Sequence, residues 1–303
     1  MMNEFRFVVS EENDGERLDK ICAELMPEHS RAYLQKLIKS GDISLNQTNA
    51  KPSTLLKSGD EVFANIPKPA SLEIAPQNIP LDIVYEDSDL IIVNKPKEMV
   101  VHPAAGHYND TLVNAILYHC TDLSGINGIL RPGIVHRIDK NTTGLLVICK
   151  NDYCHNFIAE QLKEHSIQRT YHAIVCGNVK NDHGTIDAPI GRHLTERKKM
   201  SINPSGKNAV THYKVLKRFG QYTYIECNLE TGRTHQIRVH MTSIGHPLLG
   251  DEIYGKKSAT FHTCGQTLHA KTLGFIHPQT KEFVSFDSDL PEYFKNILKK
   301  LDV

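Results

Sequence analysis

The chain has 303 residues, 40% of them hydrophobic and 23% charged, with 35 Lys and Arg against 35 Asp and Glu. That is room for about two domains and a sizeable core, in the composition of an ordinary globular protein. No run approaches the ~18 apolar residues of a membrane span.

Met1–Ser10 lacks the apolar core of a secretion signal and leads straight into charged residues. Seven scattered cysteines without a Cys-x-x-Cys pair point to reduced thiols in the cytoplasm, and away from a disulfide framework or zinc site. The 17 histidines show no metal-ligand spacing, so no metal is expected. A net charge of zero does not advertise nucleic acid, but phosphates respond to local basic stripes rather than to the sum.

Residues 1–65 read as a unit of their own. Leu18, Ile21, Cys22 and Leu25 follow helical spacing, and Pro27 ends that helix. Ser30 is a candidate N-cap for a second helix, with Leu34, Leu37 and Ile38 on its apolar face and Gly41 as its stop. Strand-like pieces follow at 42–46 and 60–65. Arg31, Gln35, Lys36 and Lys39 fall off the apolar stripe and form a polar, basic face, for which solvated surface is the plain alternative.

Residues 66–80 carry four prolines and read as an extended, semi-rigid linker. The second unit, 81–303, opens with two strand-like runs around an acidic turn in 81–94. Further strands are predicted at 145–149, 170–176, 209–217, 222–229 and 235–240, and helices at 110–119, 151–164 and 291–301. Strands in clusters with interspersed helices suggest an α+β fold. A second basic stripe runs from Arg192 to Arg218 and includes Arg197, Lys198 and Lys199 against Glu196 alone.

The densest chemistry lies in Arg131-Pro-Gly-Ile-Val-His136-Arg137-Ile138-Asp139-Lys140-Asn-Thr-Thr-Gly144, followed by the apolar run Leu145–Cys149. The run has the character of a strand covered on both faces. Asn141–Gly144 is turn chemistry, with Gly144 free to take a positive φ. Asp139 thus sits between two cations on a loop held by a rigid strand, a usual location for catalytic groups, although a surface ion pair is the plain alternative.

Three more blocks stand out. In Lys95-Pro-Lys-Glu-Met-Val-Val-His102-Pro103 the prolines stiffen a loop around His102. In Gln168-Arg-Thr-Tyr171-His172 strand alternation places Tyr171 opposite Thr170 and His172. In Glu230-Thr-Gly-Arg233-Thr-His235-Gln-Ile-Arg238-Val-His240 alternation predicts a half-buried strand, with Arg238 on its polar side facing a carboxylate and Arg233 after a glycine turn. Gly250-Asp-Glu-Ile-Tyr-Gly255-Lys256-Lys257 approaches a phosphate loop, but Lys257 stands where a magnesium-binding hydroxyl is needed. A kinase loop is excluded too, because the glycine-rich and Asp-Phe-Gly motifs are missing.

These blocks, in this order, resemble the RluA family of pseudouridine synthases. Ile138 and Thr143 replace the usual Leu and Ser, and Lys97-Glu98 replaces the common Ala/Ser-Gly. Residues 1–65 resemble an S4 RNA-binding domain through Gly15-Glu-Arg17-Leu-Asp-Lys20, Ser30-Arg31, Leu37–Gly41 and Lys57–Asp60, which points to the RluD-like branch. The resemblance implies a small S4-like domain followed by a catalytic domain on a mixed, mostly antiparallel sheet. It implies isomerisation of uridine to pseudouridine in RNA, most simply large-subunit (23S) ribosomal RNA or a pre-ribosomal particle, with no cofactor and no obligatory protein partner.

In that reading Asp139 is the nucleophile, Tyr171 lies against the target base and Arg238 pairs with Asp139. His102, His136, Arg137, Arg233 and His235 contact the substrate, with Arg137 filling the stack left by an extruded base. Arg17, Arg31, Lys36, Lys39, Arg197, Lys198 and Lys199 contact RNA. The rival is a catalytically inactive RNA-binding or ribosome-assembly factor, which would not require Asp139, Tyr171 and Arg238 together. A glycosidase would want paired carboxylates flanking a sugar.

Overall fold

The computed structural model describes residues 3–26, 31–66, 74–103, 108–120, 123, 132–196, 198–255, 261 and 263–302. Pro27, Ser30, Arg131 and Arg197 lie outside them, as do residues 67–73 of the expected linker. The chain forms two compact units, Met1–Leu72 and Glu73–Val303.

In the first unit, β1 (Asn3–Val8), α1 (Leu18–Leu25), α2 (Arg31–Ser40), β2 (Ile43–Leu45), β3 (Thr48–Asn49) and β4 (Glu61–Ile66) build two helices and an antiparallel sheet of order β1-β4-β2-β3. The apolar stripes set the packing. Leu18, Ile21 and Cys22 of α1 meet Leu34, Leu37 and Ile38 of α2 over Ile43, Val62 and Ala64 of the sheet. Gly41 ends α2 with φ +86°, a conformation glycine adopts without steric cost. Asp19 is fully buried and takes hydrogen bonds from Arg17, Arg31 and Gln35. These donors, led by Arg17, hold its carboxyl below the ordinary range.

The second unit contains β5 (Ile83–Glu86), β6 (Leu90–Lys95), α3 (Leu112–His119), β7 (Thr143–Cys149), α4 (Asp152–Lys163), β8 (Gln168–Cys176), β9 (His183–Asp187), β10 (Ile190–Arg192), β11 (Met200–Ile202), β12 (Val210–Arg218), β13 (Tyr222–Leu229), α5 (Gln236–Ser243), β14 (Leu268–Ile276), β15 (Phe283–Asp287) and α6 (Glu292–Leu301). One large sheet runs β5-β6-β7-β14-β8-β13-β12-β9, with β15 also on β14, while β10 and β11 form a separate hairpin. Only the β7–β14 pairing among these is parallel.

β7 is covered on both faces, as its apolar run predicts. Leu146 and Ile148 enter a core with α3 and α5, while Leu145, Val147 and Cys149 enter another with Ile158 of α4. Gly144, at φ +110°, pairs with Ala270, and a Cβ there would lie 2.2 Å from the Ala270 carbonyl oxygen. The glycine therefore lets β7 and β14 close beside the Asp139 loop.

Two expectations need correction. Residues 74–80 do not behave as a free linker. Ile74 is buried in the second unit's core, and Asn114 Nδ2 donates to the Ala75 carbonyl. The α3 N-terminus that Asn114 caps with Thr111 needs this cover. Residues 235–240 are not a strand but the start of α5. His235 turns the chain at φ 58°, and Gln236 through His240 are all buried. Five residues of alternation do not separate a strand from a helix enclosed on every side.

Candidate active site

The loop carrying Asp139 is fastened to the sheet at three points. The Cys149 N–H donates to the Gly133 carbonyl at 2.8 Å. The Val147 N–H donates to His136 Nε2 at 3.1 Å, which makes that nitrogen an acceptor, and burial pushes the His136 imidazole below its ordinary range. Lys95, almost fully buried at the end of β6, donates from Nζ to the carbonyls of Pro96, Met99 and Lys140 at 2.7, 2.8 and 3.0 Å. The last of these pins the residue next to Asp139.

Asp139 opens into a cavity of about 330 Å³. Its walls bring together His136, Arg137, Asp139, Tyr171, Arg233, His235 and Arg238 from the Asp139 loop, β8, the β13–α5 turn and α5. His102 is buried in the loop after β6 and is not among these walls. In the same loop Glu98 takes φ 65°, the left-handed conformation, where the family pattern has glycine.

Arg238, nearly buried, organises the acidic side. Nη1 donates to Asp139 Oδ2 at 2.8 Å. Nε and Nη2 donate to Asp251 Oδ2 and Oδ1 at 2.7 and 2.9 Å. Asp251 is fully buried, and Ile253 and Tyr254 add backbone N–H donors to it. Burial raises its carboxyl, but Arg238 and those N–H groups outweigh it and bring it below the ordinary range. Despite burial, the two carboxylates lift Arg238 above the usual guanidinium range.

His235 Nδ1 lies 2.8 Å from Tyr254 Oη, which itself accepts the Met200 N–H. The ring's other nitrogen, Nε2, lies 3.8 Å from Asp139 Oδ1, too long for a direct hydrogen bond. Burial lowers the His235 pKa and favours the neutral ring. Tyr171 lines the pocket from β8, on the face opposite His172, whose ring packs on Tyr224. Burial pushes its hydroxyl pKa up.

Of the positions read from sequence as RNA contacts, Arg17, Arg31, Lys36, Lys39 and Lys198 are exposed and Lys199 is half-buried. Arg17 and Arg31 are each anchored to Asp19, whereas Lys36 and Lys39 project freely from α2. Between β10 and β11, Lys198 is exposed and Lys199 pairs with Glu196 at 2.8 Å. Among the described residues one group brings metal-ligating atoms together, with Glu86, His119 and Cys120 inside 4.8 Å. It lies outside the pocket, and Lys150 Nζ sits 3.2 Å from Glu86.

A family model described as RNA pseudouridylate synthase matches residues 89–243, and one for the S4 domain matches residues 16–62. The chain belongs to the RNA pseudouridylate synthase family. It is 49% identical over 301 residues to an uncharacterised RNA pseudouridine synthase of Bacillus subtilis, covering 99% of each chain. It is 48% identical to the ribosomal large subunit pseudouridine synthase D of Zymomonas mobilis, covering 97% of this chain and 96% of that one. The solved structure of human RNA pseudouridylate synthase domain containing 1 matches with TM-score 0.57 and 25% identity, over 78% of this chain and 98% of that one.

As a pseudouridine synthase the chain isomerises uridine in RNA, a reaction without net oxidation, hydrolysis or phosphoryl transfer. Residues that sequence reasoning did not assign to the site are Asp251, Lys95, Arg169 and Tyr254. All four stand inside or beside the quoted motif blocks, but their roles depend on contacts between elements far apart in the chain.

Proposed function

We propose that this chain converts uridines of large-subunit ribosomal RNA to pseudouridine in the cytoplasm, with Asp139 as nucleophile. The observation that carries this reading is the Asp139–Arg238 hydrogen bond of 2.8 Å in a cavity that Tyr171 also lines. A base paired in a helix cannot reach this carboxylate, so the target uridine is extruded into the cavity. Exposed Arg137 at the pocket wall fills the vacated stack.

Tyr171 offers a ring face for stacking, and its raised pKa keeps the hydroxyl protonated. Arg238 fixes the direction of the Asp139 carboxylate. His235 lines the cavity with Nε2 3.8 Å from Asp139 Oδ1, within reach of a uridine beside the carboxylate. The S4 unit and the β10–β11 hairpin supply phosphate contacts through Lys36, Lys39 and Lys198. The 40–48% identity to several ribosomal large subunit pseudouridine synthases D supports the ribosomal target.

The test is to map pseudouridines across ribosomal RNA in a strain lacking the protein, then complement with wild type or Asp139→Asn. We expect lost sites that only wild type restores. In vitro, Asp139→Asn should abolish isomerisation while RNA affinity stays within about tenfold, because phosphate contacts supply most of the binding. Turnover by Asp139→Asn comparable to wild type would end the nucleophile assignment.

A further inference from the structure

Arg169 sits on β8 two residues before Tyr171, so both side chains share the sheet face that lines the cavity. It is 8% exposed, and burying a guanidinium is costly unless its donors are met. Yet among the described residues it makes one hydrogen bond, from Nη2 to the Glu230 carbonyl at 3.0 Å. Nε is buried without a partner. Among the described residues no carboxylate pairs with it, and the nearby Glu230 carboxylate is held by His212 at 2.7 Å. The contrast with Arg238, which satisfies two carboxylates, lies within one cavity.

Arg233, half-buried, lines the same cavity. Its Nε donates to the Asn208 carbonyl at 2.8 Å, and it forms no ion pair among the described residues. The two guanidiniums repel one another, and this repulsion adds to burial in pushing the Arg169 pKa down. A guanidinium nonetheless stays charged in a protein. Gly232, between Arg233 and the strand, is exposed, and a Cβ there would lie 2.7 Å from Arg169 Nη1. A side chain at 232 would crowd the guanidinium edge, which glycine leaves clear.

We propose that Arg169 and Arg233 form an anion subsite that holds a backbone phosphate flanking the extruded uridine. The inference rests on the reading that the cavity takes a uridine of an RNA chain. Phosphate is the anion such a substrate brings, and its oxygens match the planar fork of a guanidinium. The subsite places the sugar of the target residue by its phosphate, while Arg238 is reserved for Asp139. Arg169 is on this account a positioning residue for the substrate.

The experiment uses the full chain and a short RNA containing one uridine that wild type converts. Two further RNAs carry a neutral methylphosphonate at the linkage on the 5′ or the 3′ side of that uridine. One of them should weaken wild-type binding, read as Kd and KM, on the order of ten- to a hundredfold with little change in the saturated single-turnover rate. Arg169→Ala should show a large part of that loss on the unmodified RNA and only a small further loss, through Arg233, with that methylphosphonate, and Arg169→Lys should recover part of the affinity.

Wild type indifferent to both methylphosphonates overturns the proposal. So does an Arg169→Ala protein that remains as sensitive to them as wild type, which would assign Arg169 to a uracil carbonyl or to structure. Should Arg169→Ala fail to fold, wild type and Arg169→Lys decide between these outcomes. Failure of wild type to convert any unmodified RNA would instead count against the functional reading itself.

Discussion

Asp251 and Arg238 share two hydrogen bonds, of 2.7 and 2.9 Å, that occupy one whole edge of the guanidinium and leave Nη1 for Asp139. Asp251 therefore acts on the reaction through Arg238 without facing the substrate. Asp251→Asn keeps the volume but cannot accept both bonds. We expect kcat to fall on the order of tenfold with KM nearly unchanged, since the loss is orientation of Arg238 rather than binding. Asp251→Ala leaves a buried cation without its main partner and should cost about 3–5 kcal/mol of stability by thermal melting. A folded Asp251→Asn with wild-type kcat would show that Arg238 needs no such anchor.

Lys95 holds the other side of the Asp139 loop. Burial lowers its pKa to about 7. Lys95→Met removes the donor from three carbonyls at once, including that of Lys140. The cost should be roughly 2–4 kcal/mol, because buried acceptors are left unmet. Single-turnover rates should fall on the order of tenfold as the loop loosens, while Kd for RNA stays near wild type. Unchanged rates in a destabilised Lys95→Met protein would confine the lysine to stability.

The distribution of what could be read from the chain has a physical basis. β7, β8, β12 and β13 and helices α3, α4 and α6 carry local periodicity, and their positions follow from the residues alone. β1 and β14 carry it less visibly. Arg6 interrupts two phenylalanines in β1, and His269 and Lys271 interrupt the apolar run of β14. In β14 those polar groups find partners, as His269 does between Thr143 and Ser288.

Asp139, Tyr171 and Arg238 stand out in the sequence because the motif blocks carry them, and all three line one cavity. Arg238 faces a carboxylate, as alternation predicts, but from a helix instead of a strand. On a buried helix, as on a strand, an acid meets that guanidinium's donors and its charge together. Asp251 and Lys95 were not legible as site residues, since their roles exist only once α5, β6 and the Asp139 loop are in contact.

His269 yields a pH prediction. It is fully buried, and burial pushes its pKa down to about 4. In the unfolded chain a histidine titrates near 6.5. Between those values the unfolded state binds a proton that the folded state does not, so stability falls as pH falls. The contribution is fully present above about pH 6.5 and is lost progressively toward pH 4. Thermal melting should show a Tm several degrees lower at pH 5 than at pH 7.5, roughly the shift that 1–2 kcal/mol produces. His269→Gln, which keeps hydrogen-bonding capacity but does not titrate, should reduce this dependence and leave the share due to His136 and His235, whose pKa burial also lowers. A variant with the same acid sensitivity would place the responsible group elsewhere.

The S4 unit has its own core, built only from residues up to Ile66, while the remaining cores begin at Ile74. Removing residues 1–72 should therefore leave a folded catalytic unit. That unit should still isomerise a short, unstructured RNA, since every residue of the cavity is retained. It should lose affinity for structured ribosomal RNA, and the loss should shrink at high salt. Each missing phosphate contact removes nearly one unit from the slope of log K against log salt concentration.

The full chain allows a finer version of the same test. Arg31 is a poor choice for it, because its substitution also strips a partner from buried Asp19. Lys36→Ala with Lys39→Ala leaves that network intact. The double variant should weaken binding of structured RNA and reduce the salt slope by up to about two units, without slowing single turnover at saturating enzyme. If the truncated chain and the double variant both bind structured RNA with wild-type affinity and salt dependence, the unit is a structural cap and the RNA is held by the catalytic unit alone.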